Sequence, residues 1–163
     1  MGKFTDKVVC ITGADGGIGR EMTKKFAAEG ATLILTSIAE SESFTQFMKE
    51  LKSEFGVEVH PFFFDLSDEE AIKVGLKEMK ALKLKINVLI NNAGMPHLAI
   101  LPFTKMADVR KVFQVNYFAQ LQITQGLLGV IAKDGESVIL NAASIAGIDG
   151  DMGNAVYGAT KAS

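Results

Sequence analysis

Residues 7–20 read KVVCITGADGGIGR, an apolar run followed by a turn rich in glycine. Its apolar beginning predicts a buried strand over Lys7–Thr12, and an amphipathic segment after the glycines predicts a helix over Gly17–Glu29. Glycine permits a tight turn, while free amides and the dipole at a helix N-terminus attract negative charge. The stretch therefore predicts a strand, turn and helix that bind a pyrophosphate, although such glycines also occur in turns that bind no ligand.

The alternation of short apolar runs and longer amphipathic segments continues along the chain. It predicts further strands over Thr32–Thr36, Val57–Phe64, Asn87–Asn91 and Ser137–Asn141. It predicts further helices over Glu40–Phe55, Asp68–Leu82 and Lys105–Lys133, the last long enough to be broken near its middle. Each strand reads as nearly continuous apolar sequence, as expected of strands buried on both faces.

The predicted fold class is therefore α/β, a Rossmann-type doubly wound parallel sheet of order 3-2-1-4-5 between two layers of helices. In such sheets ligands bind beyond the carboxyl ends of the strands, where the strand order reverses. A chain of 163 residues without a linker or repeat fits one domain, residues 1–163.

Composition excludes several function classes. The formal net charge is −2 with acids and bases interspersed, so no basic surface is expected to bind nucleic acid or an anionic membrane. No apolar run reaches membrane-spanning length or resembles a secretory signal, and a cytoplasmic location is expected. The single cysteine, Cys10, lies in an apolar run and is predicted to be a core residue. His60 and His97 are too far apart in the predicted fold, and too little accompanied by acids or thiols, to indicate a metal site; His60 is predicted to be a strand residue, and His97 is either a loop residue or a substrate contact.

Polar motifs follow the later strands in a fixed order. Asp65-Leu66 ends the third strand, Asn91-Asn92-Ala93-Gly94 the fourth, Asn116 lies in the long helix, Ser144 follows the fifth strand, and Tyr157-Gly158-Ala159-Thr160-Lys161 comes last. Singly, each has an ordinary interpretation as a cap, a loop residue or a solvated helix face. Together with the spacing Gly-x-x-x-Gly-x-Gly, the set resembles the short-chain dehydrogenase/reductase family over essentially the whole chain.

The resemblance implies a set of binding and catalytic residues. Those implied to bind the cofactor are Gly13, Asp15, Gly17, Ile18, Gly19, Ser37, Asp65, Leu66, Asn92, Ala93, Gly94, Tyr157 and Lys161. Those implied to be catalytic are Asn116, Ser144, Tyr157 and Lys161. Tyr157 would transfer the proton, assisted by the ammonium of Lys161, because a free phenol with a pKa near ~10 is too weak a base at neutral pH. Ser144 would hold the substrate oxygen, Lys161 the nicotinamide ribose, and Asn116 a water-linked relay to Lys161.

Cofactor preference depends on the end of the second strand. Ser37 stands where members that prefer NAD carry an acid, so repulsion of the extra phosphate of NADP is absent. The basic residue that many NADP-using relatives carry in the glycine turn is also absent, since Asp15-Gly16 occupies it. The Thr-Ser ending resembles 3-oxoacyl-carrier-protein reductases, which favours NADP(H), with NAD(H) as the second choice.

Members of the family continue beyond the catalytic helix with two strands and a substrate lid, so the resemblance implies a chain that is incomplete at its C-terminus. The function expected is hydride transfer between NAD(P) and an alcohol/ketone pair, with a 3-oxoacyl thioester as one candidate substrate. The alternative is a catalytically incompetent dinucleotide-binding or interaction module. An exposed fifth strand and apolar patch are expected to promote association, and a homo-oligomer, dimer or tetramer, is expected from the resemblance.

Overall fold

The computed structural model describes residues 2–133 and 135–163, which form one five-stranded parallel sheet with helices on both faces. The strands are β1 (Val8–Ile11), β2 (Thr32–Ser37), β3 (Val59–Phe63), β4 (Val88–Asn91) and β5 (Val138–Asn141). Their order is β3-β2-β1-β4-β5, which confirms the predicted topology. The order reverses beside β1, so the carboxyl ends of β1 and β4 flank a natural ligand crevice.

Six α-helices accompany the strands within the described residues. They are α1 (Gly17–Ala28), α2 (Glu42–Phe55), α3 (Glu69–Ala81), α4 (Met106–Phe113), α5 (Ala119–Leu127) and α6 (Ala155–Lys161). Helix boundaries follow local chemistry, since Asp68 caps α3 by accepting from the amides of Glu70 and Ala71. Gly56 ends α2 at a positive φ of 67°, which glycine adopts without strain.

Two apolar layers form the core, one on each face of the sheet. On one face α1 and α2 cover the side chains of Val9, Ile11, Leu33 and Leu35. On the other face α3 and α5 cover Cys10, Ile34 and Leu89. Burial raises the pKa of the Cys10 thiol to about 12, as expected for an inert core cysteine.

Burial on both faces, as the apolar strand sequences suggested, was wrong for the edge strand β3, whereas the exposed fifth strand expected from the resemblance is confirmed. β1 and β4 are buried throughout and β2 nearly so, whereas β3 alternates and all four residues of β5 are exposed. Edge strands lack a neighbour on one side, and their apolar sequence alone does not reveal this position. β3 carries Pro61, which removes a donor from its free edge, while β5 presents Val138, Ile139 and Leu140.

The long helix differs from its predicted form in two ways. It changes to a π-helix over Gln114–Phe118 between α4 and α5, which is the physical form of the break near its middle. It ends in a 3₁₀ turn at Leu128–Val130, short of Lys133, because Ile131 forms a β-bridge with Ile86. Single π-helical turns inside α-helices are frequent at functional sites, and this one contains Asn116.

No helix among residues 2–133 and 135–163 is long and apolar enough to cross a membrane.

Candidate functional site

A cleft of about 540 Å³ lies at the carboxyl ends of β1, β2, β3 and β4, where the strand order reverses. We call it the cofactor cleft. Among its lining residues are eleven of the thirteen cofactor-binding residues named from the sequence: Gly13, Asp15, Gly17, Ile18, Gly19, Ser37, Asp65, Leu66, Asn92, Ala93 and Gly94. The two remaining residues, Tyr157 and Lys161, do not line it.

Side chains from β1 and β4 hold the glycine turn in place. The hydroxyl oxygen of Thr12 accepts hydrogen bonds from the amides of Asn92 and Ala93, both at 3.0 Å. The Asn92 side-chain amide donates to the carbonyls of Thr12 at 3.0 Å and Gly13 at 3.1 Å. Asn92 therefore fixes the shape of the turn as well as lining the cleft, and Thr12 is a positioning residue that the sequence motifs did not single out.

The glycines of the turn serve different purposes. Gly13 has a positive φ of 62°, and a Cβ there would lie 2.9 Å from the Cα of Ala93. At Gly19 a Cβ would overlap the carbonyl oxygen of Gly13 and lie 2.8 Å from the Cα of Ala14. Packing within the protein thus explains both. A Cβ at Gly17 would have no atom within 4 Å, so the fold does not require glycine there.

Gly17 lines the cofactor cleft, and it lies at the first position of α1, where amides and the helix dipole attract negative charge. A ligand that must approach the backbone closely accounts for a glycine that packing leaves unexplained. The volume of the cleft fits a dinucleotide. Its pyrophosphate would lie against the backbone of the glycine turn and the N-terminus of α1.

Polar groups at the far side of the cleft are partly engaged within the protein. Asp65 accepts a hydrogen bond from the Ser67 amide at 2.7 Å, so this acid caps a turn while it lines the cleft. Ser37 donates its hydroxyl proton to the carbonyl of Ala39 at 3.1 Å. The end of β2 therefore carries an uncharged serine and no carboxylate, but the hydroxyl proton of Ser37 is already donated to the Ala39 carbonyl.

Asn116 ties three elements together and is almost fully buried. Its side-chain oxygen accepts from the Met95 amide at 2.8 Å, and its side-chain nitrogen donates to the Met95 carbonyl at 3.0 Å and to the Thr160 hydroxyl at 3.0 Å. Thr160 in turn donates to the Tyr157 carbonyl at 2.7 Å. Asn116 thereby fastens α6, which carries Tyr157 and Lys161, to the loop that follows β4.

The 3₁₀ turn Ile145–Gly147, which begins directly after Ser144, lies against α6 through two glycines. A Cβ at Gly147 would lie 2.5 Å from the Lys161 carbonyl oxygen, and a Cβ at Gly158 would lie 2.6 Å from the Ala146 carbonyl oxygen. The Ser144 hydroxyl oxygen accepts from the Ala146 amide at 3.2 Å. Two backbones in close approach thus hold Ser144 beside the helix that carries Tyr157.

Lys161 lies close both to Tyr157 and to the end of the cofactor cleft. Its ammonium donates to the Ala142 carbonyl at 2.7 Å and lies 6.0 Å from the centroid of the Tyr157 ring. Partial burial lowers the pKa of this ammonium below its ordinary value. Gly94 lines the cleft, and a Cβ there would lie 3.3 Å from the Asn116 side-chain oxygen and 3.6 Å from the Lys161 nitrogen. The cleft therefore ends directly against both residues.

Neither histidine lines the cofactor cleft. His60 is on β3 with its Nε2 atom 3.1 Å from a Glu58 carboxylate oxygen. His97 is half-buried in the loop after β4, and its Nδ1 atom has no hydrogen-bond partner among the described residues. Across residues 2–133 and 135–163, no group of three or more metal-binding side chains comes together.

Comparisons with known proteins agree with this geometry. A family model described as short chain dehydrogenase matches residues 7–163. The 3-oxoacyl-(acyl-carrier-protein) reductases of Thermotoga maritima and Aquifex aeolicus are 35% and 31% identical, each over 98% of this chain and 64% of their own length. A solved structure of a putative short chain dehydrogenase from Escherichia coli CFT073, complexed with NADPH, has a TM-score of 0.88 at 27% identity and covers 97% of this chain and 67% of that one. The chain thus spans about two thirds of the length of these relatives.

Proposed function

Because the chain belongs to the short-chain dehydrogenase family, we propose that its site transfers hydride between a nicotinamide dinucleotide and an alcohol/ketone pair. The observation that carries this proposal is the continuity of the site. The cofactor cleft ends at Gly94, and Asn116 and Lys161 lie directly behind that residue. Tyr157 lies one helical turn before Lys161 on α6, so the helix that reaches the end of the cleft also carries a proton donor.

The nicotinamide supplies or accepts the hydride when the cofactor is bound. Tyr157 exchanges a proton with the substrate oxygen, and the Lys161 ammonium lies 6.0 Å from the centroid of its ring. Ser144 uses its hydroxyl oxygen to accept from Ala146, which leaves its proton available for the substrate oxygen, where charge develops as hydride is transferred. Asn116 contributes by holding α6 in place through Thr160.

The preferred cofactor in this proposal is NADP(H), with NAD(H) also accepted. Support comes from the uncharged Ser37 at the end of β2 and from the NADPH complex of the Escherichia coli relative. The Ser37 proton is donated to Ala39, so the preference rests on the absence of a repelling carboxylate rather than on a new hydrogen bond. The substrate in this proposal is a ketone such as a 3-oxoacyl thioester, as the names of two relatives suggest.

Replacing Tyr157 by Phe tests the proposal, with Tyr117→Phe as the matched control, because Tyr117 is the only other tyrosine in the sequence. Binding of NADPH and NADH is measured by fluorescence, and turnover is measured with a 3-oxoacyl thioester and with simple ketones. We expect Tyr157→Phe to bind cofactor as wild type does and to lose turnover, while Tyr117→Phe keeps both.

Turnover retained in Tyr157→Phe would refute this assignment of the proton donor. A wild-type protein that binds cofactor without turning over any carbonyl substrate would instead support a binding module without catalysis.

A further inference from the structure

Lys111 is the one basic residue among the described residues that line the cofactor cleft. The other charged residues of the lining are the acids Asp15 and Asp65. Lys111 lies on α4, and Val115, in the π-helix that directly follows α4, also lines the cleft. None of the sequence motifs pointed to it, because nothing in its local sequence distinguishes it from other solvated helix lysines.

The ammonium of Lys111 is uncommitted. No hydrogen bond or ion pair joins it to any residue of 2–133 or 135–163. The other basic groups near the site are engaged: Arg20 donates to the Asp15 carbonyl at 2.9 Å and to the Ser43 hydroxyl at 2.9 Å, and Lys161 donates to the Ala142 carbonyl. Lys111 is therefore a free cation at the wall of a cleft that suits an anionic ligand.

The position of Lys111 indicates which half of a dinucleotide it faces. The reacting end must lie beside Tyr157 and Lys161, on the β5 side, and the pyrophosphate lies at the glycine turn. The adenosine half then extends over the ends of β2 and β3. Gln114 donates its side-chain amide to the Leu66 carbonyl at 3.4 Å, which fastens this part of the long helix to the segment after β3. Lys111 lies about one turn before Gln114, on the adenosine side.

We propose that Lys111 is a cofactor-binding residue whose ammonium lies against the adenine ring and closes the outer end of the cleft. This inference rests on the proposed binding of a dinucleotide. A lysine ammonium over an aromatic face is attracted by the ring, and its four-carbon stem covers apolar surface. Loss of such a contact weakens binding by about 3- to 10-fold, from the usual strength of a cation on a ring.

The test compares Lys111→Met with Arg110→Met. Methionine keeps an apolar stem and removes the charge, and Arg110 is an exposed residue of the same helix that does not line the cleft. Dissociation constants are measured for NADPH, for ADP and for nicotinamide mononucleotide, with Lys111→Arg as the conservative variant. Melting temperatures of all variants report whether the fold is retained.

We expect Lys111→Met to weaken the binding of NADPH and of ADP by the same 3- to 10-fold factor and to leave the binding of nicotinamide mononucleotide unchanged. Arg110→Met and Lys111→Arg should bind as wild type does. Equal binding by Lys111→Met and Arg110→Met would overturn the inference while leaving the proposed function intact, as would a loss confined to nicotinamide mononucleotide. A wild-type protein that binds none of the three ligands would refute the proposed function itself.

Discussion

Two glycines of the same turn should respond in opposite ways to replacement by alanine. A Cβ at Gly19 would meet backbone atoms, the Gly13 carbonyl oxygen and the Cα of Ala14, which cannot move without opening the turn. A Cβ at Gly17 would have open space around it, with no atom beyond its own helix within 4 Å, and Gly17 lines the cofactor cleft. Gly19→Ala should therefore damage the fold, and Gly17→Ala should damage only binding.

The magnitudes follow from these contacts. Forcing a methyl group against backbone typically costs about 1–3 kcal/mol, so Gly19→Ala should lower the melting temperature by about 4–8 °C if the cost is about 2 kcal/mol. Gly17→Ala should keep the free energy of unfolding within about 1 kcal/mol of wild type, since alanine is the better helix residue. Its methyl group would hold a pyrophosphate away from the amides of α1, for which we expect at least about tenfold weaker binding, or ~1.4 kcal/mol.

The assay pairs thermal unfolding with NADPH titration on the same preparations. Gly16→Ala serves as a further control for thermal unfolding, because its Cβ would lie an ordinary 3.6 Å from the Gly13 carbonyl oxygen. If Gly17→Ala binds NADPH as tightly as wild type, then the cofactor does not approach the backbone closely at Gly17. If Gly17→Ala unfolds as easily as Gly19→Ala, then the division into packing and ligand glycines is wrong.

Thr160→Val should remove the hydrogen bond that Asn116 donates and keep the side-chain volume. We therefore expect the free energy of unfolding to fall by about 1–2 kcal/mol and kcat to fall, with cofactor affinity unchanged. A lower cofactor affinity with unchanged kcat would contradict the positioning of α6 by Asn116. The ammonium of Lys161 should make the free energy of unfolding depend on pH. Because burial lowers its pKa below the ordinary 10.5, the unfolded chain binds more protons between the two values, and wild-type stability relative to Lys161→Met should rise with pH through that window. A relative stability that falls there, measured by denaturant unfolding at several pH values, would mean that the Ala142 contact stabilises the charged form more than burial penalises it.

The strand order and the glycine turn could be predicted from the sequence because both depend on local patterns. β1 and β4 are short apolar runs that end at polar or glycine residues, and parallel strands bring such ends to one edge. The apolar pattern alone does not show that β5 is exposed, and that exposure was expected only from the resemblance. The sequence of Val138–Leu140 is as apolar as that of a central strand.

Other features depend on tertiary contacts that have no local pattern. The π-helix around Asn116 accompanies the bonds of that side chain to Met95, which is 21 residues away. The place of Lys111 in the cleft follows from the docking of the long helix through Gln114, and the use of the Ser37 proton by Ala39 depends on the path of the chain after β2. In each case a tertiary contact sets the position or the hydrogen bonds of a site residue, and the residue type alone does not reveal them.

The two halves of the site are held together by different means. The cofactor cleft is built from part-buried hydrogen bonds between the residues that directly follow β1 and β4, the two central strands of the sheet beside the glycine turn. The half proposed to be catalytic depends on the seven-residue helix α6, which Thr160 fastens to Asn116 and which is in close backbone contact at Gly147 and Gly158. Short helices with few buried contacts open at lower free energy than a central sheet. Cofactor binding should therefore persist under mild denaturant that already disorders α6, and loss of turnover should precede loss of binding.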